Sequence, residues 1–319
     1  MRRDAFLKSL AALAAAGSLP LSGWAAENLK ILIPANPGGG WDTTGRALGR
    51  AFQDAGVAGA VSYENKGGAA GAIGLAQFYG SSKSDPNALL VMGAVMLGGI
   101  ITGKPPVSLT QLTPIARLTS EYNVFVVPAN SPLKSLKDVV EQMKKDPASV
   151  KFGGGSRGST EHIAAAMMAR AIGVDVSKLN YVAFRGGGES VAAILGGNVT
   201  LGGSGYSEFQ PYIEAGKMRP IAVTAPQRLK GLEIPTMKEL GVDVVLGNWR
   251  GVYAAAGITP AQRQALTERV LKATQSHAWK EALDKNGWTP AVLTGKEFED
   301  FVEREFAGLR AIMVKSGMV

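Results

Sequence analysis

Cysteine is missing from this 319-residue sequence, and histidine occurs only twice, at His162 and His277. Without cysteine the chain has no disulfide, no thiolate metal ligand, no cysteine nucleophile and no attachment point for the lipid anchor of exported lipoproteins. Two histidines are too few for a multi-histidine metal site, and a serine–histidine triad would have to use one of them. We therefore expect no metal ion and no cofactor.

Charged and aromatic residues are also scarce, at 19% and 7% of the sequence, whereas hydrophobic residues make up 46%. This balance indicates an ordered globular protein with a large core. The net charge is +8, but the lysines and arginines are scattered and form no basic block interleaved with aromatic residues. The composition therefore argues against nucleic acid as a partner and favours acidic small molecules or an anionic membrane surface.

No apolar run is long enough to cross a bilayer, which takes about 20 residues. The segment 1–25 instead resembles a cleavable export signal, with basic residues at positions 2, 3 and 8 before an apolar stretch at 10–21. We expect cleavage after Ala25 or Ala26 and a periplasmic location. The two leading arginines miss the twin-arginine spacing by one residue, so the general and the twin-arginine export routes both stay open.

Glycine is abundant, with 41 residues, and its clusters follow short apolar runs. The first run ends at Ile33, the glycines Gly38–Gly40 follow, and a helix is predicted to start at Asp42–Thr44. Consecutive glycines let backbone amides approach a ligand, and a helix N-terminus adds free N–H donors and a positive dipole end. The pattern recurs at residues 150–160. We expect these two loops to face each other around an anion-binding cleft.

The alternation of apolar runs and helical stretches predicts an α/β protein with two lobes. After the signal at 1–25, residues 26–121 together with 245–319 are expected to form one lobe and residues 122–244 the other. Each lobe is expected to be a mostly parallel sheet flanked by helices, with helices alone closing the chain after residue 255. Because the chain would cross between the lobes twice, a hinge and a ligand cleft should result.

The candidate ligand-binding residues lie in the predicted cleft loops and in the first turns of the helices that follow them. They are Gly38, Gly39, Gly40, Trp41, Asp42, Gly155, Ser156, Arg157, Gly158, Ser159, His162, Arg185, Gly186, Gly187, Ser204 and Tyr206. The two arginines could clamp a carboxylate or be solvated loop charges. Asp42 could cap its helix, pair with Arg46, or select an amine or hydroxyl group of a ligand.

The aromatic and imidazole side chains of this set also have two interpretations. Trp41 could form an apolar wall of the cleft or pack between elements. Tyr206 could reach a ligand with its hydroxyl group or belong to the core. His162, in the first turn of its helix, could donate to an anion or be a buried structural histidine.

A catalytic interpretation has less support. The strings around Ser156 and Ser204 are broken forms of Gly-x-Ser-x-Gly, and His162 is only three residues from Ser159, too close for a typical triad partner. Gly153-x-Gly155-x-x-Gly158 matches a dinucleotide-binding pattern, but a cofactor fits an exported protein poorly. An exported hydrolase that uses Ser156 or Ser159 remains the alternative from another class.

Taken together, the motifs resemble those of the solute-binding receptors of tripartite tricarboxylate transporters, the Bordetella-uptake-type family. The resemblance runs from Leu29 to the C-terminus. The matching strings are Pro37–Asp42, Glu64-Asn65 with Gly67–Gly74, Thr113–Arg117, Val127-Pro128, Gly153–Ser159 with His162, Val182–Gly187, Leu195–Gly197, Ala215–Arg219, Ile234–Thr236 with Glu239, and Trp249–Gly251. One departure is that Gly202–Tyr206 lacks the acidic residue often present after that strand.

The resemblance implies a two-lobed periplasmic binding protein of the type II-like fold, without catalysis. Its cleft would hold a small carboxylate-bearing organic acid through backbone N–H groups and ordered waters. The position of Asp42 would help to select the other end of the ligand. The partner would be a two-subunit membrane permease, and we expect the receptor to be a monomer. A sensory receptor that presents its ligand to a membrane kinase is a further alternative.

Overall fold

The computed structural model describes residues 27–319, in which strands and helices alternate along most of the chain. The ten strands of this region are β1 Leu29–Ile33, β2 Val61–Asn65, β3 Ala88–Gly93, β4 Thr113–Pro128, β5 Lys151–Gly154, β6 Asn180–Ala183, β7 Leu201–Gly205, β8 Met218–Val223, β9 Gly247–Ala254 and β10 Thr289–Thr294. Its ten α-helices are α1 Gly40–Asp54, α2 Ala72–Ser81, α3 Ala94–Gly103, α4 Leu136–Lys145, α5 Thr160–Ala171, α6 Gly187–Leu195, α7 Tyr206–Glu214, α8 Pro260–Gln275, α9 His277–Asn286 and α10 Gly295–Lys315. The expected export signal, with cleavage near Ala25 and Ala26, lies outside the described residues.

Strand β4 organises the fold because it belongs to two sheets. Its residues 113–122 pair with β9 and β10, and its residues 123–128 pair with β7 and β8. The first sheet has the order β2-β1-β3-β9-β4-β10, and the second has the order β6-β5-β7-β4-β8. The strands predicted separately at Thr113–Leu118 and Asn123–Val127 are one strand of 16 residues. No glycine or proline occurs between residues 115 and 127, so nothing breaks the extended backbone.

The sheets are mixed, which corrects the expectation of mostly parallel sheets. β1 is parallel to β2 and β3, and β5 is parallel to β6 and β7, as the alternation of strands and helices predicts. However, β9 is antiparallel to β3 and β4, and β4 is antiparallel to β7, β8 and β10. The reason lies in the connections, because β4 and β9 carry the chain from one sheet to the other and not through helical crossovers within one sheet.

Two elements were missed by the sequence prediction. Helix α3 is apolar on most of its surface and contains three glycines, so it has no helical periodicity of polar and apolar residues. Strand β10 follows α9 at the edge of the first sheet, where most of its residues are partly or fully exposed. Its alternation is therefore weak, and the expectation of helices alone after residue 255 was wrong.

The C-terminal helices cover the first sheet. Trp249 on β9 packs edge-on against Phe298 and Phe301 of α10, and its indole N–H donates to Oε2 of Glu305 at 3.0 Å. The helix start predicted at Thr259-Pro260 is confirmed, since Thr259 caps α8 with a reciprocal capping box. Within residues 27–319, no helix combines the length and the apolar character that crossing a membrane requires.

Candidate functional site

The first predicted glycine loop contacts the loop between β6 and α6 directly. The backbone N–H of Asn36 donates to the carbonyl oxygen of Arg185 at 3.3 Å, and the Asn36 side-chain amide donates to Oε1 of Glu189 at 2.7 Å. A Cβ atom on Gly39 would lie 3.0 Å from the amide nitrogen of Gly187. The N-termini of α1 and α6 therefore meet at a distance that requires glycine.

The second predicted loop packs against α3. Gly158 has a φ of +84°, and a Cβ atom there would lie 2.7 Å from the carbonyl oxygen of Gly98. Gly155 and Ser156, which precede Gly158 in the same loop, line the cavity that the first loop also borders. The two loops of the sequence prediction thus border one cleft. Their close backbone contacts are with other segments: the first contacts the loop between β6 and α6, and the second contacts α3.

The cavity in this cleft has a volume of about 90 Å³. Its lining comes from both sheets: Pro34, Ala35 and Gly39–Trp41 belong to the first half of the fold, and Phe184–Gly187 and Ser204 to the second. An engineered protein cavity of about 150 Å³ holds a benzene molecule. The cavity in this arrangement is smaller than that, so it has room for at most a small molecule and not for a nucleotide.

Nine of the predicted site residues line this cavity: Gly39, Gly40, Trp41, Gly155, Ser156, Arg185, Gly186, Gly187 and Ser204. Trp41 is buried and lies against Gly71, so it forms an apolar wall of the cleft and packs in the core as well. The remaining seven, Gly38, Asp42, Arg157, Gly158, Ser159, His162 and Tyr206, are not among the residues that line it.

The carboxylate of Asp42 is hydrogen-bonded to other residues of the protein. It accepts hydrogen bonds from Nε of Arg46 at 2.9 Å, from Nδ2 of Asn65 at 2.9 Å and from the N–H of Gly38 at 3.2 Å. Burial raises the pKa of Asp42, but these hydrogen bonds outweigh burial and leave the pKa below its ordinary value of 3.8. The structure thus places Asp42 as an anchor for the Gly38–Gly40 loop, in agreement with its Arg46-pairing interpretation.

Ser159 and His162 also have internal partners. Ser159 caps α5 by accepting from the N–H of His162, and its hydroxyl lies 3.2 Å from that of Tyr181. The Nδ1 atom of His162 accepts from the N–H of Gly158 at 3.1 Å, and the imidazole stacks on Tyr181. Burial, with a smaller contribution from Arg157, lowers the pKa of His162 to about 4. A neutral imidazole in this position cannot supply a positive charge to an anion.

Arg157 and Tyr206 lie at the edges of the cleft region. Arg157 is exposed and borders a separate surface depression that it shares with Arg185. Tyr206 opens α7 and is half-buried, and burial raises the pKa of its hydroxyl group. That Arg157 and Tyr206 contact a ligand therefore stays a prediction.

Three charged residues of the cavity were missed by the sequence prediction: Glu161, Glu208 and Arg250. Glu161 and Glu208 occupy the first turns of α5 and α7, where acidic residues commonly complement the helix dipole. Arg250 lies in the middle of β9. None of these positions has a local pattern that distinguishes it, although an arginine inside an apolar strand was a usable signal of a buried ion pair.

These residues form a buried charge cluster together with Glu121 of β4. Arg250 is 2% exposed, and its Nη2 atom donates to Oε1 of Glu121 and lies 3.8 Å from Oε1 of Glu208. Burial raises the pKa of Glu208 to about 7; Arg250 opposes this shift, and the charges of Glu121 and Glu161 add to it. Burial likewise raises the pKa of Glu161. One guanidinium group therefore contacts two carboxyl groups, those of Glu121 and Glu208, and the third, that of the buried Glu161, has no ion-pair partner among the described residues.

Two polar atoms of the cluster have no hydrogen-bond partner, namely Oε2 of Glu161 and Nη1 of Arg250. Among the residues that the structure describes, no group of three histidine, aspartate or glutamate side chains is arranged to hold a metal ion.

The sequence profile of the tripartite tricarboxylate transporter family receptor matches residues 52–318. This chain belongs to the tripartite tricarboxylate transporter receptor family. It is 27% identical to Protein BugT of Bordetella pertussis over 301 residues, which cover 92% of this chain and 90% of BugT. The family consists of solute receptors and not of enzymes, which confirms the prediction of a binding protein without catalysis.

Two solved structures share the fold of this receptor. The periplasmic binding protein BugD superposes with a TM-score of 0.82 at 22% identity, over 92% of this chain and 98% of BugD. The R. palustris protein Rpa4515, solved with adipate, superposes with a TM-score of 0.81 at 22% identity, over 92% of this chain and 98% of that protein. The predicted two-lobed periplasmic-binding-protein fold is thereby confirmed.

Proposed function

We propose that this receptor captures a small carboxylate-bearing organic acid between its two halves and delivers it to a two-subunit membrane permease. Membership of a receptor family for tricarboxylate transporters carries the proposal. Adipate in the R. palustris relative supports a carboxylate as the ligand class. In this chain the N-termini of α1 and α6 and the side chains of Arg185 and Arg250 supply hydrogen-bond donors around the cavity.

We further propose that the two halves act as lobes with boundaries near residues 121 and 245. The change of pairing partner along β4, between Tyr122 and Asn123, supports the first boundary. The return of the chain to the first sheet at β9, which begins at Gly247, supports the second. In this proposal the export signal is removed near Ala25–Ala26, and the mature receptor works in the periplasm as a monomer.

A thermal-shift screen of the chain from Glu27 tests the proposal. The panel contains mono-, di- and tricarboxylates, amino acids and nucleotides. A ligand at about 100 times its dissociation constant adds about 2.7 kcal/mol to the free energy of unfolding. We expect one carboxylate compound to stabilise the protein and Arg185→Ala, at the cavity, to weaken that effect. Arg170→Ala, on the exposed last turn of α5, is the matched control and should leave it unchanged.

The same preparation distinguishes a receptor from a hydrolase. A receptor binds one ligand stoichiometrically and releases it chemically unchanged. Stabilisation by an ester or a nucleotide in the absence of any effect of the acids would contradict the proposal, as would turnover that Ser156→Ala abolishes.

A further inference from the structure

Three buried polar atoms of residues that line the cleft have no hydrogen-bond partner: Oε2 of Glu161, Nη1 of Arg250 and the hydroxyl oxygen of Ser190, which can donate or accept. Oε2 of Glu161 is a hydrogen-bond acceptor on a residue that is 6% exposed, and Nη1 of Arg250 is a donor on a residue that is 2% exposed. Both residues line the same cavity. Buried polar groups without partners are rare in folded proteins because their desolvation is not compensated. A ligand that fits this cavity should therefore offer both a donor and an acceptor.

The buried charges of the cleft are not balanced by the protein, because Arg185, the second guanidinium group that lines the cavity, is exposed. The carboxylate of Glu121 already accepts a hydrogen bond from the guanidinium group of Arg250 and another from the hydroxyl of Ser207, at 3.3 Å. Glu208 shares the same guanidinium group at a longer distance, and Glu161 has no ion-pair partner among the described residues. A plain dicarboxylate would add negative charge beside these two carboxyl groups, which is unfavourable at low dielectric.

Glu208 also occupies part of the space where an anion would bind. A Cβ atom on Gly40 would lie 2.9 Å from Oε1 of Glu208, and one on Gly39 would lie 3.5 Å from its Oε2. The Glu208 carboxylate thus lies beside the N-terminus of α1, and Gly187 at the start of α6 is closer to it still. The attraction of these helix ends for negative charge is already partly satisfied by the protein itself.

We propose that the ligand is an amino-acid-like zwitterion, whose ammonium group binds Glu161 and Glu208 and whose carboxylate binds Nη1 of Arg250. This inference rests on the proposed receptor function and narrows its ligand class. The two acceptors belong to the second half of the fold, on α5 and α7, whereas Arg250 belongs to β9 of the first sheet. A zwitterion therefore bridges the two halves with one charge on each.

Pairs of compounds that differ only in an amino group test this on the unaltered protein. Isothermal titration calorimetry compares the common amino acids with their deaminated acids, such as aspartate with succinate and glutamate with glutarate. We expect one amino acid to bind at least about tenfold more tightly than its deaminated acid, as a hydrogen-bonded charge pair provides. Glu161→Gln and Glu208→Gln should each reduce that preference. Glu214→Gln, at the exposed end of α7, is the control and should retain it.

Three results would overturn the inference. One is equal or tighter binding of the deaminated acid. Another is binding of a plain acid that strengthens as the pH falls through the pKa of Glu208 near 7, because a protonated Glu208 then donates to the acid. Either result leaves the receptor function intact. If no compound with a carboxylate binds, the receptor proposal fails together with this inference.

Discussion

The side chain of Glu208 makes the stability of the empty receptor depend on pH in a direction that can be calculated. Burial beneath the glycine loops disfavours its charged form, the guanidinium group of Arg250 partly compensates, and Glu121 and Glu161 add repulsion. The result is a pKa of about 7 in place of 4.5. Glu208→Gln removes this titration and keeps the shape of the side chain.

The expected effect is large. A pKa that rises from 4.5 to about 7 corresponds to about 3 kcal/mol, at 1.36 kcal/mol per pH unit. The folded protein holds this proton more tightly than the unfolded chain does. The contribution of Glu208 is therefore most favourable below pH 4.5 and is lost as the pH rises through about 7. As the pH rises from below 4.5 to above 7, the free energy of unfolding of Glu208→Gln should therefore increase by about 3 kcal/mol relative to that of the wild-type protein. This difference corresponds to about 6 °C in Tm.

The assay is thermal or urea unfolding of the wild-type protein and the variant across this pH range, without ligand. Glu233→Gln is the control, because the side chain of Glu233 is 98% exposed. Its difference from the wild-type protein should not vary with pH. A constant difference between Glu208→Gln and the wild-type protein would refute the burial argument, and so would a difference that changes in the opposite direction.

Three further substitutions test the contacts around the cleft. Asn36→Ala removes the hydrogen bond to Glu189 and should weaken ligand binding up to about tenfold in calorimetry, whereas unchanged affinity would mean that this contact does not stabilise the bound form. Gly98→Ala places a methyl group against the carbonyl oxygen of Gly158. Because this separates α3 from the loop that contains Gly158, it should lower ligand affinity and increase the radius of gyration. The control Gly103→Ala, at an open position of the same helix, should change neither quantity. Asp42→Ala should lower the free energy of unfolding, measured by chemical denaturation, by about 1–3 kcal/mol. This difference from the wild-type protein should vanish as the pH falls below 3.8 through the lowered pKa of Asp42. An equal loss at all pH values would contradict the hydrogen-bond explanation.

The glycine loops could be predicted from the sequence because their cause is local. Gly39 and Gly187 are glycines because another backbone lies against them, and each stands between an apolar strand and a helix start. The predicted starts at Thr160 and Thr259-Pro260 are likewise found at α5 and α8. Capping and close backbone approach leave signatures within a few residues, which a single sequence displays.

The charge cluster could not be predicted, because its members are brought together only by the fold. Arg250 and Glu121 are 129 positions apart, and their strands meet because β4 and β9 both belong to the first sheet. Glu161 and Glu208 each resemble an ordinary first-turn acid, and nothing local indicates that both are buried. Asp42 shows the converse, since its prominent position beside three glycines suggested ligand contact and its partners are Arg46 and Asn65.

The contacts between the two halves explain why a ligand should control their approach. Across the cleft the loops are joined by two hydrogen bonds of Asn36, by backbone packing of Gly98 on Gly158 and by the contact of Arg250 with Glu208. Such hydrogen bonds contribute only about 1 kcal/mol each. The buried carboxyl groups of Glu161 and Glu208 oppose closure of an empty cleft, because one guanidinium group cannot compensate them all. A ligand shifts the balance only by its differential affinity for the closed arrangement, so the same charges that select it would also determine whether the halves stay together.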